Sequence, residues 1–215
     1  NPQYTGQSAW RGMVPVEGLP ESVLEPGTIS WIGEDKHVIQ YAVRQGRLIN
    51  YVAIVALEDW AEEGWNRPAP VEEVVAEFAG WHADVLQLLS ATPPDNCYKW
   101  GLFVRESLKS WTVGRVTLLG DAAHPTLPFA AQGSAMAIED AVILGRALAS
   151  YDDAEAALKV YESTRLARTT WLVEHARQAT KLYQRVQGNK SQQRASSVDE
   201  IYSYDAIQCP LGASS

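Results

Sequence analysis

Between Gly114 and Leu148 the chain reads GRVTLLGDAAHPTLPFAAQGSAMAIEDAVILGRAL. An apolar, strand-like run ends at Gly120, where the missing side chain permits close backbone approach. Asp121 follows with a carboxylate that can accept hydrogen bonds from ligand hydroxyls. A ribose or another polyol suits that acceptor. Pro125 and Pro128 stiffen the next loop, and a helix starting between Ala130 and Gly133 would aim free N–H groups and its positive dipole end at whatever lies before it. Ala131, Gln132, Gly133 and Ser134 are therefore candidates to steady an electron-rich ring or an anion. Taken alone, the same residues are explained about as well by a strand end and a tightly packed helix start.

The elements around this run must position it. VTLLG is apolar on both faces, so the strand that delivers Gly120 is expected to be central and buried. The helix after Gly133 is small or apolar nearly all round, which predicts burial on most sides. Upstream, SAWRGMVP, GTISWIG, KHVIQYAV and LINYVAIV are short runs rich in β-branched and aromatic residues, and they predict an antiparallel sheet within residues 5–55. RQGR (44–47) reads as a hairpin turn with Gly46 at the positive-φ position.

Pro70, Glu72 and Glu73 open a helix. Val71, Val74, Val75, Phe78, Trp81, Val85, Leu88 and Leu89 keep one helical face, predicting a single amphipathic helix that ends near ATPP. YKWGLFVR is a further strand. Asp152 and Asp153 can cap a long helix running to about Val186. Glu162 with Arg165, and Glu174 with Arg177, are i,i+3 pairs, so the basic run Lys159, Arg165, Arg168, Arg177, Lys181 and Arg185 reads as a solvated face. QGNKSQQRASS reads as a mobile polar linker and IYSYDA as a tail that docks back onto the body.

Composition narrows the function classes. The chain has 215 residues, 46% of them hydrophobic, enough for a substantial core. A net charge of -8 argues against nucleic acid or an anionic membrane surface as partner. No apolar run approaches the roughly 20 residues of a membrane span. Cys97 and Cys209 match neither a disulfide framework nor a metal-ligand spacing, which predicts a reducing, cytoplasmic setting and no metal. Of the histidines, His124 reads as a loop-orienting residue, and His82 and His175 as surface or packing residues. His37 reaches a pocket only if its strand face points inward. None is assigned a catalytic role.

The Gly114–Leu148 run resembles the second flavin motif of the flavin-dependent aromatic hydroxylases, the class A flavoprotein monooxygenases of the para-hydroxybenzoate hydroxylase fold. AWRGMVP, HVIQYAVRQGRLINYVAIV, FAGWH, YESTRLARTTWLV and YSYDA resemble the salicylate hydroxylase branch most closely, so the likeness covers nearly the whole chain. The resemblance implies an α+β fold that is part of an α/β FAD-binding fold. Its expected parts are a substrate domain at 1–100 (an antiparallel sheet and one helix), the carboxy-terminal part of the FAD-binding domain at 101–150, and carboxy-terminal helices and tail at 151–215.

The resemblance also implies chemistry. Gly120 and Asp121 would hold the ribityl chain of FAD. The backbone of Ala131, Gln132, Gly133 and Ser134 would hold the pyrimidine end of the isoalloxazine, and Pro128 would lie against the ring. Trp10, Tyr41, Tyr51 and Phe129 become candidate substrate walls, although ordinary sheet core explains the first three more simply. NADH or NADPH would reduce the flavin, and molecular oxygen would supply the hydroxyl placed on a small aromatic substrate. Some members carry Gln or His where Phe129 stands, and an apolar residue there favours a more apolar ring, since a buried phenolate or carboxylate needs a partner.

No G-x-G-x-x-G follows a strand, and the family's middle Asp-Gly motif has no counterpart. The chain is therefore expected to be the carboxy-terminal portion of an FAD-dependent monooxygenase, lacking the amino-terminal dinucleotide-binding half and inactive alone. A homodimer is compatible with it. The rival reading is a non-catalytic ligand-binding or interaction module derived from the same fold.

Overall fold

The structure, a computed structural model, describes residues 1–57, 60, 64, 66–183 and 200–212. It divides into two compact units, Pro2–Phe103 and Val104–Leu182 with the carboxy-terminal tail.

The first unit is built on a six-stranded sheet. Its strands are β1 (Gln3–Pro15), β2 (Thr28–Ile32), β3 (Lys36–Val43), β4 (Leu48–Ala56), β5 (Arg67–Pro68) and β6 (Cys97–Val104), in the order β2-β3-β4-β1-β6-β5. The pairs β2/β3, β3/β4, β4/β1 and β5/β6 run antiparallel. Alternation decides which side chains share a face. Trp10, Val14, Val38, Ile49, Tyr51, Ala53 and Val55 pack with Val74, Phe78, Val85, Leu88 and Leu89 of the helical layer into one core. Gly12 stands opposite Tyr51, and a Cβ at Gly12 would lie 2.5 Å from the tyrosine ring, so the glycine makes room for it.

The opposite face carries Arg11, Met13, Ile39, Tyr41, Asn50 and Val52, with His37 and Ile54 one row further along. The turn between β3 and β4 bends harder than one glycine would require, because Arg44 and Gln45 join Gly46 at positive φ.

The helical layer corrects one expectation. Instead of a single helix there are two, α1 (Val71–Glu77) and α2 (Ala83–Ser90). Gly80, at φ +83°, breaks the first, and His82 starts the second by accepting the Asp84 N–H on Nδ1 at 3.3 Å. The apolar spacing carries through the break because both helices press the same sheet face, and periodicity alone does not register a bend.

In the second unit, β7 (Thr112–Val113) and β8 (Val116–Thr117) form a short hairpin. Two helices follow, α3 (Gly133–Ser150) and α4 (Ala154–Tyr183). Asp153 caps α4 as expected, its carboxylate accepting the Ala156 N–H at 3.1 Å.

The VTLLG run, expected to be a central buried strand, contributes only β8, and Val116 is 69% exposed. Among the described residues β7 is its only strand partner, so an apolar sequence does not become a buried strand here. Likewise α3 buries one stripe, Met136, Asp140, Ile143 and Ala147, and leaves Ile138 and Leu148 exposed. Helix α4 and the loop before α3 pack on that stripe, and alanines on the outer face tolerate water at little cost.

The tail docks as its aromatic residues predicted. Arg168 Nη2 donates to Ile201 O at 2.9 Å, Arg146 Nη1 donates to Ala206 O at 2.8 Å, and the Gly212 N–H donates to Thr164 Oγ1 at 2.8 Å. The proposed linker, residues 187–197, lies outside the described residues, as do the last expected turn of α4 and Arg185. No helix among the described residues is long and apolar enough to cross a membrane.

Candidate functional site

The Gly-Asp loop is a tight turn built on backbone hydrogen bonds. Gly120, at φ +58°, is followed by two N–H groups, those of Ala123 and His124, that both donate to Gly120 O at 2.9 Å. A Cβ at Gly120 would sit 3.3 Å from Ala137 Cβ, so the turn lies directly against α3. The Asp121 side chain is exposed at the tip of this turn.

Downstream, Pro128–Ala130 forms a single 3-10 turn, and Ala131 takes a left-handed φ of 52°. That reversal delivers Gln132, whose carbonyl accepts the first helical bond of α3, from the Met136 N–H at 2.9 Å. The N–H groups of Gly133, Ser134 and Ala135 are then free of helical partners. Gly133 leaves a bare patch there. A Cβ on it would meet Thr126 Cγ2 at 3.5 Å and Asp121 Oδ1 at 3.9 Å. The predicted residues Gly120, Asp121, Gln132, Gly133 and Ser134 are thus gathered at one place, with Pro128 and Ala131 in the connecting turn. A carboxylate beside an open, positive helix end offers acceptors for hydroxyls and donors for an electron-rich ring.

Behind the loop lies an ionic cluster. Asp140, fully buried, takes the Gly120 N–H at 3.0 Å and His124 Nε2 at 2.6 Å on one oxygen, and Arg165 Nε at 2.8 Å on the other. Burial alone would push the Asp140 carboxyl up, but the bonds from His124, Arg165 and Gly120 overcome it and hold the group below the ordinary carboxylate range. Burial works against the Arg165 cation in the same way, and Asp140 and Glu139 overcome it, holding the guanidinium charged.

The cluster extends outward. Arg165 Nη2 reaches Glu139 Oε2 at 2.7 Å, Arg168 reaches the same carboxylate at 3.4 Å, and the Tyr204 ring lies 4.0 Å from the Arg168 guanidinium carbon. Trp111 packs at 5.3 Å from the His124 ring and 5.8 Å from Tyr161, whose hydroxyl donates to Leu118 O at 3.1 Å.

This cluster overturns part of the solvated-face expectation. Arg165 is fully buried and Arg168 nearly so. The expected Glu162–Arg165 pair is replaced, because Glu162 accepts the Trp111 N–H at 2.9 Å while Arg165 turns inward to Asp140. Burial tends to raise the Glu162 carboxyl, and bonds from Thr112 and Trp111 nonetheless hold it low. Only Glu174–Arg177 stays an outer contact, at 3.9 Å. Sequence reasoning missed Asp140. Its signal was a charged residue inside the buried stripe Met136, Asp140, Ile143 and Ala147, which a surface helix would not place there.

The candidate substrate walls divide. Trp10 and Tyr51 lie on the helix side of the sheet, both buried in its core, with the Tyr51 hydroxyl 2.9 Å from Thr92 Oγ1. Tyr41 lies on the opposite face, 41% exposed, and Phe129 is half-buried in the turn before α3. His37 shares that face with Tyr41, and burial lowers its pKa to about 4.

A family model described as an FAD-binding domain matches residues 2–176. The chain belongs to that family. Its fold is that of the class A flavin monooxygenases, and FAD is the cofactor of the family. The chain is 38% identical over 168 residues to a 3-amino-4-hydroxybenzoate 2-monooxygenase of Streptomyces platensis, covering 78% of this chain and 42% of that protein. It is 36% identical over 185 residues to a 3-hydroxybenzoate 6-hydroxylase of Klebsiella oxytoca, covering 85% and 46%. The chain thus spans about half the length of the curated relatives it matches.

Among solved structures, a salicylate hydroxylase substrate complex superposes with a TM-score of 0.78 at 30% identity, over 96% of this chain and 56% of that one. HpxO of Klebsiella pneumoniae, solved with FAD and uric acid, superposes at 0.74 and 30% identity, over 95% and 50%. The Asp121–Gly133 geometry fits FAD on its own terms: an exposed carboxylate for ribityl hydroxyls, beside bare backbone donors for the ring.

Proposed function

We propose that this chain supplies the flavin-ring half of a site in which an FAD-dependent monooxygenase hydroxylates a small aromatic substrate. The observation that carries the reading is the approach of the Asp121 carboxylate to the bare Gly133 backbone at the open end of α3. FAD, when bound, would supply the redox chemistry between NADH or NADPH and oxygen. The chain's own residues do the holding. Asp121 accepts from the ribityl hydroxyls. The N–H groups of Gly133 and Ser134 and the helix dipole favour negative charge on the ring, which lowers the cost of its reduced anionic form.

Within the sheet unit, the face that carries Tyr41 is our proposed substrate surface. Ile39 and Val52 give it an apolar floor, while Tyr41 and Arg11 supply polar groups at its margins. Trp10 and Tyr51 support that face from beneath. The relatives named for 3-hydroxybenzoate, 3-amino-4-hydroxybenzoate and 6-hydroxynicotinate make a phenol or hydroxylated heteroaromatic acid the first substrates to try.

The sequence contains no glycine-rich phosphate loop, so the chain's grip ends at the ribityl group. Riboflavin and FAD should therefore quench alike when titrated against the chain, with equal and weak affinity. An Asp121→Asn variant should weaken both about tenfold, the size of one charge-assisted hydrogen bond. Absence of quenching by either flavin at millimolar concentration would sink the flavin reading and favour a non-catalytic binding module. FAD binding much more tightly than riboflavin would sink the half-site reading.

A further inference from the structure

The turn that carries Asp121 is gripped by a residue the flavin motif does not contain. Arg105, just beyond β6, sends Nη2 to Ala122 O at 2.5 Å and to Ala123 O at 3.2 Å. Those carbonyls belong to the two peptide groups whose N–H ends, at Ala123 and His124, both donate to Gly120 O. Each of the two planes is therefore fixed at both ends, by Gly120 on one side and the guanidinium on the other. Arg105 is itself tied down, since Arg177 Nη2 donates to its backbone carbonyl.

A five-residue turn with one exposed carboxylate has several ways to orient it. Opening the turn moves the backbone that carries Asp121, and opening it at either of these planes breaks a bond to a charged donor, the stronger kind of hydrogen bond. The Asp140 cluster anchors the ends of the turn, at the Gly120 N–H and His124, and leaves its far carbonyls to Arg105.

We infer that Arg105 is a positioning residue for Asp121: it holds the Gly-Asp turn in the orientation that presents the carboxylate to the bare helix end at Gly133. The role in flavin binding rests on the function proposed above; the grip on the turn does not. Unlike Asp140 and Arg165, Arg105 is only half-buried, so its removal can be separated from unfolding.

The test pairs amide hydrogen exchange with a double-mutant cycle on the chain. Arg105→Gln should speed exchange at the Ala123 and His124 amides at least tenfold, with the thermal midpoint and exchange in α3 unchanged, and Arg105→Lys should recover part of the protection. In riboflavin quenching, Arg105→Gln should weaken binding several-fold, and should add nothing in an Asp121→Asn background, because it acts through that carboxylate. Unchanged exchange at both amides, or a loss in the double variant equal to the sum of the single losses, overturns the inference. If wild-type chain binds no flavin, the exchange arm alone decides whether Arg105 holds the turn. Faster exchange with no flavin effect of Asp121→Asn would strike the flavin reading and leave the grip standing.

Discussion

The two units hold themselves together by opposite means. The sheet unit is an apolar laminate in which Val38, Ile49, Tyr51 and Val55 from the strands meet Phe78, Val85, Leu88 and Leu89 from the helices. The second unit has small apolar clusters, and its α3–α4 contact is centred on charge, with Asp140, Arg165, Glu139 and Arg168 joined by bonds of 2.7 to 3.4 Å. Apolar contacts are forgiving, since a truncated side chain leaves a gap its neighbours partly refill. A buried ion pair is not: its partner stays behind, desolvated and unpaired. The unit that carries the Gly-Asp loop therefore gains directional rigidity at the expense of tolerance to mutation.

The sharpest break of that contrast is Arg165→Ala. It strands the Asp140 carboxylate, which has no exposure at all, and it should cost about 3–5 kcal/mol in urea unfolding. Protection of the Gly120 amide should be lost first, because it donates to Asp140. A loss below about 1 kcal/mol would mean that the cluster is solvated in solution, and the comparison between the units would fall with it.

Acid should separate the units next. Burial lowers the His37 pKa from 6.5 to about 4, so the folded sheet unit holds the ring neutral where the unfolded chain would already be protonated. Its contribution is fully present above pH 6.5 and is lost as the pH falls through the folded value near 4. A shift of that size corresponds to about 3 kcal/mol. Asp140 behaves differently, since the bonds from His124, Arg165 and Gly120 hold its carboxyl below the ordinary carboxylate range, and its contribution is lost only as the pH falls beneath that range. At pH 5 the sheet unit should therefore be weakened while the Asp140 cluster is intact. Unit-resolved amide exchange between pH 7 and pH 4.5 checks this, and His37→Gln should flatten the slope in the sheet unit alone.

The same contrast explains what the sequence made legible. The sheet could be read because short β-branched and aromatic runs such as SAWRGMVP and LINYVAIV, broken by Gly and Pro, are a local signal. The Gly-Asp loop could be read because GDAAHP through AIEDA resembles a family motif, where its residue types alone left a plain strand end and helix start equally open. Arg165 could not, since a basic residue three positions after a glutamate looks solvated until α3 supplies the buried Asp140. The split between α1 and α2 was hidden for a related reason: both helices answer to one sheet face, so the apolar period ran unbroken across Gly80. VTLLG misled in the other direction, because apolar composition states what a strand prefers and not whether a neighbour exists to pair with it.

The smallest expected effect lies where the ionic network meets the tail. Tyr204 lays its ring 4.0 Å from the Arg168 guanidinium carbon and 5.2 Å from that of Arg165, and its hydroxyl sits 3.3 Å from Cys209 Sγ. Replacing it with leucine keeps the apolar cover but removes the ring quadrupole that faces two cations, a contribution of about 1 kcal/mol at a partly buried site. Three bonds to the tail survive that change, from Arg168 to Ile201 O, from Arg146 to Ala206 O and from the Gly212 N–H to Thr164. Tyr204→Leu should therefore loosen the tail without releasing it, with exchange rising at residues 201–212 and the Gly120 amide unmoved. If protection at Gly120 fell as well, the tail would be a working part of the Asp140 cluster, and the charged centre of this unit would reach the loop from the carboxy-terminal end of the chain as well as from α4.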